Sequence, residues 1–327
     1  MRFSDAIDRY IEDMQSQGRL NSRSSEGGYR STLEAHGEDV GNRDPRYVAR
    51  EDVKRTLRRW LHPNTQRTNR SKLVSFYDWM VEEGVRKDNP ARGTRRPRRR
   101  PTPKYRLTEA EARAVLDAAG DARERRAIFL GLCAGLRNAE LRGLQGRHFA
   151  RPGFIWVAAE IAKGGRERWV PVTPDLVPIV AEIRGDVADR EYVLPAQRFR
   201  DPPFNSQRQD LRLSSSSSQA LRQLVIRVAK RAGIAEHVTP HDLRHAFADH
   251  IARLGDTRIA QHLLGHANLG TTDTYLGRPR LDDMVAAVRD ATYGMGTDVL
   301  GVAQMAHTAL EATTGIEPVY TALQAAA

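Results

Sequence analysis

One cysteine, Cys133, stands in 327 residues. It excludes any intrachain disulfide framework and points to a reducing compartment. Long hydrophobic runs are missing too. The longest apolar stretch, Ala127–Leu136, falls well short of the ~20 residues that cross a bilayer, and Cys133 within it reads as core filling. The N-terminus, MRFSDAIDRYIEDM, lacks the uninterrupted apolar segment of a secretion signal. Acids are in deficit, 41 against 52 lysines and arginines, for a net charge of +11. Such a balance implies a polyanionic partner, nucleic acid before membrane. A soluble cytoplasmic protein is expected. With 40% hydrophobic and 28% charged residues the chain is not largely disordered, and its length suits about two domains.

The positive charge is concentrated. From Arg92 to Arg106 the chain reads RGTRRPRRRPTPKYR, eight basic residues with no acid, and without them the net charge falls from +11 to +3. Pro97, Pro101 and Pro103 exclude a helix there and favour an extended chain. This segment joins two differently patterned halves. We read it as a linker over 92–106 whose Arg95, Arg96, Arg98, Arg99 and Arg100 meet phosphates.

Before it, Phe3, Ile7, Tyr10, Ile11 and Met14 share one helical face that stops near Gly18. Val53, Leu57, Trp60 and Leu61 repeat the pattern, as do Leu73, Phe76, Tyr77 and Met80 before Gly84. A weaker helix spans about Ser24 to His36. Arg55, Arg58, Arg59, Arg67 and Arg70 line the polar faces, where a solvated surface and a DNA-facing one look alike. After the linker, Thr108 and Glu111 have the spacing of a capping box, and helices run to about Leu144. Phe154–Val157 and Trp169–Val172 are β-type runs around Lys163-Gly164-Gly165-Arg166, a predicted hairpin. Residues 196–218 read as a long loop, and helical patterns resume from Gln219 to about Ala291.

Four short constellations carry chemistry. In Gly135-Leu136-Arg137-Asn138-Ala139-Glu140-Leu141, an arginine in apolar surroundings needs an anion, either Glu140 or a phosphate that Glu140 helps it meet. Lys163 occupies the predicted hairpin turn, where lysines are usually solvated. In His241-Asp242-Leu243-Arg244-His245, after Thr239-Pro240, the spacing puts His241 and Arg244 on one face of a first helical turn. Backbone N–H groups and the helix dipole favour an anion at such a turn. The last is Leu263-Leu264-Gly265-His266, with Tyr275 nine residues after the histidine. His241 with His245, and His262 with His266, have zinc-ligand spacing. Neither pair has a cysteine or glutamate to complete a site, there is no HExxH, and no metal is expected.

Taken in order, GLRNAEL, the hairpin lysine, HDLRH, LLGH and the closing tyrosine resemble the motifs of tyrosine recombinases, the phage-integrase family. Residues 104 to about 290 are similar to its catalytic domain, and 1–91 to its helical core-binding domain. The resemblance implies a mainly α fold with a small β-hairpin (α+β), comprising a core-binding domain (1–91), linker (92–106), catalytic domain (107–293) and tail (294–327). It assigns Arg137, Arg244 and His266 to the phosphate, Glu140 to support Arg137, and His241 to accept a proton. Lys163 becomes the general acid, with Lys104, Arg166 and Arg168 as nearby alternatives, and Tyr275 the nucleophile.

The same resemblance implies a 3′-phosphotyrosyl intermediate, no cofactor, and neither metal nor ATP. It implies partners as well: double-stranded DNA recombination sites, a homotetramer on DNA from a monomer in solution, and accessory DNA-bending proteins. Family members pass a C-terminal helix to the adjacent subunit, for which Leu281–Ala291 or Val299–Leu310 is the candidate. The end, Ala322-Leu323-Gln324-Ala325-Ala326-Ala327, resembles tags read by AAA+ proteases, and a frayed terminus is the alternative. The bundle starts almost at Phe3, leaving little room for an arm-binding domain. Phage integration is the favoured role. An Xer-like resolvase, a type IB topoisomerase and a catalytically silent DNA-binding protein are the alternatives.

Overall fold

The computed structural model describes residues 1–20, 23–101, 105–196, 211–254, 262–264, 281–289 and 291–295. The chain forms two compact units, Met1–Pro103 and Lys104–Ala327.

The first unit holds α1 (Phe3–Ser16), α2 (Arg23–Asp39), α3 (Arg50–Arg58) and α4 (Pro63–Glu82). The apolar stripes follow the helical repeat. Phe3, Ile7, Tyr10, Ile11 and Met14 of α1 are buried against Leu33, Val53, Leu57, Leu73, Phe76 and Met80. Each such side chain contributes on the order of 1.5–3 kcal/mol by leaving water. The stripe through α3 is shorter than the sequence suggests. The helix stops at Arg58, Trp60 is only partly buried, and Leu61 is 92% exposed. Pro63 opens α4 just beyond, at the first helical turn where its missing N–H costs nothing, so Leu61 falls in the junction rather than on a core face. Conversely, α2 runs on to Asp39, beyond the expected His36. There tertiary packing of Leu33 and His36 outweighs the weak propensity of Gly27 and Gly28.

The second unit begins with α5 (Glu109–Asp117), α6 (Ala122–Cys133) and α7 (Asn138–Gly143). Its capping box is formed: Thr108 Oγ1 accepts from the Glu111 N–H at 3.2 Å, and Glu111 Oε2 accepts from the Thr108 N–H at 2.8 Å. Helix α6 is apolar nearly all round, which suits a central position. Ala127, Ile128, Phe129, Leu130, Leu132 and Cys133 are all buried in the main cluster. Strands β1 (Phe154–Val157) and β2 (Arg168–Pro171) pair antiparallel with Ile155 opposite Val170, the only sheet among the described residues. Helices α8 (Val177–Asp186), α9 (Ser218–Arg231), α10 (Pro240–Leu254) and α11 (Leu281–Arg289) follow among the described residues. The mostly helical content with one small hairpin is an α+β fold, as expected. The long loop is shorter than the sequence suggests at its C-terminal end, where Leu211–Leu213 forms a 3-10 turn and Pro195 bridges Ser215.

The structure bears on one of the two candidate C-terminal segments. Of the two segments proposed to reach a neighbouring subunit, Leu281–Ala291 is committed to its own chain. Met284, Val288 and Ala291 are buried against Phe247, Ile251, Leu263 and Leu264. The residues that follow are tied down by buried Asp175, which accepts from Thr292 Oγ1 at 2.8 Å and from the Tyr293 and Met295 N–H groups. A cut after Arg280 would therefore open this unit's own core. Val299–Leu310 and the Ala322–Ala327 end lie outside the described residues.

Candidate active site

Glu140 is the centre of the site. It is fully buried, at the third position of α7, and its carboxylate turns back to accept the Arg137 backbone N–H at 2.9 Å. Arg137 Nη1 donates to Oε1 at 2.9 Å. From β2, Arg168 donates to both oxygens, Nη1 to Oε1 at 2.9 Å and Nη2 to Oε2 at 2.8 Å, the parallel fork that planar guanidinium makes with carboxylate. From α10, Arg244 brings Nη1 to 4.0 Å from Oε2. Three guanidiniums thus surround one carboxylate.

Backbone carbonyls hold the rest. Arg244 donates to the Gly135 carbonyl at 2.6 Å and to the Leu264 carbonyl, and Arg168 Nε donates to the Leu263 carbonyl at 2.8 Å. Gly135 has φ +61°, and a Cβ there would run into the Phe247 ring. Only glycine lets the chain turn there and point its carbonyl at Arg244. Nearby, Gly131 lets α10 approach α6, where a Cβ would lie 2.9 Å from Leu243 Cδ1.

Electrostatics follow from burial. Desolvation alone would raise the Glu140 pKa. The Arg168 fork and charge, with the Arg137 N–H and charge, reverse this and hold it below the usual carboxylate value. Glu140 stays ionised. For Arg244 burial, then the Arg137 charge, lowers the pKa to about 9, so it too is charged at neutral pH. Among the described residues the cluster therefore carries two more positive than negative charges in a mostly buried setting, with Arg168 and Arg244 side chains only 6% and 4% exposed. Arg137 is the most open of the three at 20%. A surplus of buried positive charge is costly unless an anion completes it.

The structure thus brings Arg137, Glu140 and Arg244 together as the sequence predicts. Arg168, which the sequence offers only as an alternative to Lys163, instead locks Glu140 to the residues just before Gly265-His266. Strand alternation carries its signal, since Arg168 and Val170 both point inward. Lys163 is exposed in the hairpin turn between Gly164 (φ +81°) and β1. His241, in the first turn of α10, is exposed with its ring 4.2 Å from that of His245. Asp242 instead caps α10, accepting from the Thr239 N–H at 2.9 Å and Oγ1 at 2.6 Å. His266 and Tyr275 lie outside the described residues. Among the described residues no three His, Cys, Asp or Glu side chains gather as metal ligands would, and no helix is long and apolar enough to cross a membrane.

Known proteins match this chain along most of its length. A profile of the phage integrase family matches residues 105–278. The tyrosine recombinase XerC of Salmonella typhi is 33% identical over 257 residues, 75% of this chain and 79% of that protein. XerC of Serratia marcescens is 35% identical over 215 residues, 63% of this chain and 65% of its own length. In fold, a lambda integrase dimer bound to a COC′ core site matches with a TM-score of 0.65 at 19% identity, covering 82% of this chain and 96% of that one. A lambda integrase tetramer bound to a Holliday junction also gives 0.65, at 20% identity, over 84% of this chain and 80% of that one.

Proposed function

The chain belongs to the phage integrase family of tyrosine recombinases, and from that premise we propose how its residues cut and rejoin DNA. It is a site-specific recombinase; the assignment of roles is our reading. Arg137 and Arg244 grip the non-bridging oxygens of one phosphodiester with planar forks, and His266 adds a hydrogen bond. Tyr275 Oη attacks the phosphorus while His241 takes its proton, since a phenol of pKa near 10 is a weak nucleophile until deprotonated. The new P–O bond makes a 3′-phosphotyrosyl link. As the bond to the 5′ oxygen breaks, Lys163 protonates that oxygen. A 5′-hydroxyl from a second duplex then reverses the steps. The link conserves the bond energy, so rejoining needs no ATP.

One observation carries this reading: the three-arginine, one-carboxylate cluster, whose surplus charge suits a phosphodiester anion. The exposure of Lys163 fits a general acid that meets its oxygen only when DNA reaches the hairpin. The first unit, in this proposal, is the core-binding half of a clamp on duplex recombination sites. Lambda integrase, of the same fold, forms a tetramer on a Holliday junction, and a homotetramer on DNA is proposed here too. Phage integration is our primary reading. Resolution of chromosome or plasmid dimers is the second, favoured by the XerC relatives.

The test is Tyr275→Phe on a nicked suicide substrate carrying the native site. Wild type should trap an SDS-stable protein–DNA adduct, and the variant should bind equally well and trap none. An adduct formed by the variant would show that another residue is the nucleophile.

A further inference from the structure

The segment expected to be a tether is built onto the first unit. Asn89 starts it: its Oδ1 accepts the Ala91 and Arg92 N–H groups, and its amide donates to the Val74 carbonyl and Asp78. Ala91 and Thr94 are buried. From there the chain is laid along α4 in steps of three on both segments, running in opposite directions. Arg70 donates from Nε to Thr94 Oγ1 at 2.9 Å and from Nη2 to the Thr94 carbonyl at 2.9 Å, and it also reaches the Arg92 and Ala91 carbonyls. Arg67 donates to the Pro97 carbonyl at 3.3 Å. Asn64 binds Arg100 reciprocally, donating to its carbonyl at 2.8 Å and accepting its N–H at 3.0 Å.

All but one of the hydrogen bonds that Asn64, Arg67 and Arg70 make to the strip go to its main chain. Its side chains are left for something else. Arg95, Arg96, Arg98, Arg99 and Arg100 are all exposed, and none is paired with an acid among the described residues. A free chain with five like charges relieves repulsion by extending and moving apart. A pinned backbone cannot. Arg70 feels the field, its pKa lowered by burial first and by the Arg96 charge next.

We propose that Asn64, Arg67 and Arg70 are positioning residues, fixing the backbone of residues 94–100 on α4 so that Arg95, Arg96, Arg98, Arg99 and Arg100 form a preorganised comb for the phosphates of duplex DNA. The proposal rests on the recombinase reading for its partner. Phosphates recur about every 3.4 Å of helix axis on each strand, and guanidinium matches them as it matches carboxylate. Because the strip is already ordered, binding need not order it, which is the usual gain from preorganisation. The comb meets phosphates rather than bases, so it strengthens binding to any sequence.

The test uses the full chain, with anisotropy titrations on a short duplex of arbitrary sequence at several salt concentrations. Asn64→Ala removes both hydrogen bonds to Arg100 without changing charge. It should weaken binding about fivefold at fixed salt and leave the slope of log Kd against log salt unchanged. Hydrogen exchange at the Arg100 amide should quicken while Leu73 and Phe76 in α4 stay protected. Replacing Arg95, Arg98 and Arg100 with Gln should instead lower the slope by about 0.9 for each phosphate no longer neutralised. If Asn64→Ala unprotects α4, Pro97→Gly loosens the strip without touching the helix and should give the same constant-slope weakening. Wild-type affinity in a variant whose Arg100 amide exchanges freely would overturn the proposal. So would an unchanged slope in the triple glutamine variant. Neither result touches the recombinase reading, which stands or falls on the Tyr275 adduct.

Discussion

In the first unit His36, Thr56 and Tyr77 close a neutral circuit: His36 Nδ1 lies 2.7 Å from Thr56 Oγ1 and its Nε2 2.8 Å from the Tyr77 hydroxyl. In the second, Arg137, Arg168 and Arg244 converge on Glu140. Both clusters are buried and both are hydrogen-bonded. They differ in balance. Burial drives His36 down to about 4 and Tyr77 well above its usual value, so that circuit is uncharged at neutral pH and asks nothing of a ligand. Among the described residues the arginine cluster has a surplus of positive charge, which favours an anion. A buried polar network that closes on itself serves stability; one left with net charge points to what it binds.

The difference is undone most readily at Glu140. Glu140→Gln removes the negative charge that the three guanidiniums share. It should cost the second unit about 3–5 kcal/mol. Hydrogen exchange should rise in α7, in β2 and at Leu263–Leu264, with the first unit unaffected. A destabilisation under about 1 kcal/mol would mean the charges are more solvated than the geometry indicates.

Acid exposes the same contrast with a smaller effect. Unfolded His36 titrates near 6.5 and folded His36 near 4. Between those values the unfolded chain binds a proton that the folded chain refuses, so stability falls as pH drops through that window, by about 3 kcal/mol in all. Glu140 has the same sense in a lower pH window. Its depressed pKa contributes stability above the unfolded carboxylate range, lost only as pH falls through its folded value. The first unit should therefore loosen first, near pH 5, when exchange is followed unit by unit. His36→Gln should flatten that dependence; a dependence that persists would assign it to another group.

Local spacing made much of this legible. Arg137 with Glu140, and Thr239 with Asp242 ahead of Arg244, are pairs three residues apart, visible in any helical reading. The hairpin followed from two short β-type runs about a glycine turn. What did not follow depends on distant partners. The inward face of Arg168 is set by its register opposite Val157, and its acceptors are a carboxylate and a carbonyl from other elements. The α11 helix is readable as a helix, whereas its burial against Phe247 and Leu263 is a tertiary fact. The arginine strip reads as a tether because proline and charge dominate its pattern, while the carbonyls that fasten it to α4 have no sequence signature.

Surplus positive charge around Glu140 is, on this reading, what receives the negative charge of one DNA linkage. The direct measurement is cleavage of a suicide substrate whose scissile phosphodiester is replaced by a neutral methylphosphonate, with wild type and Arg137→Ala compared on both. Arg137→Ala should be severely impaired on the charged linkage and recover at least about tenfold on the neutral one, because deleting the matching charge offsets the deleted cation. An equal defect on both linkages would contradict that pairing of charges.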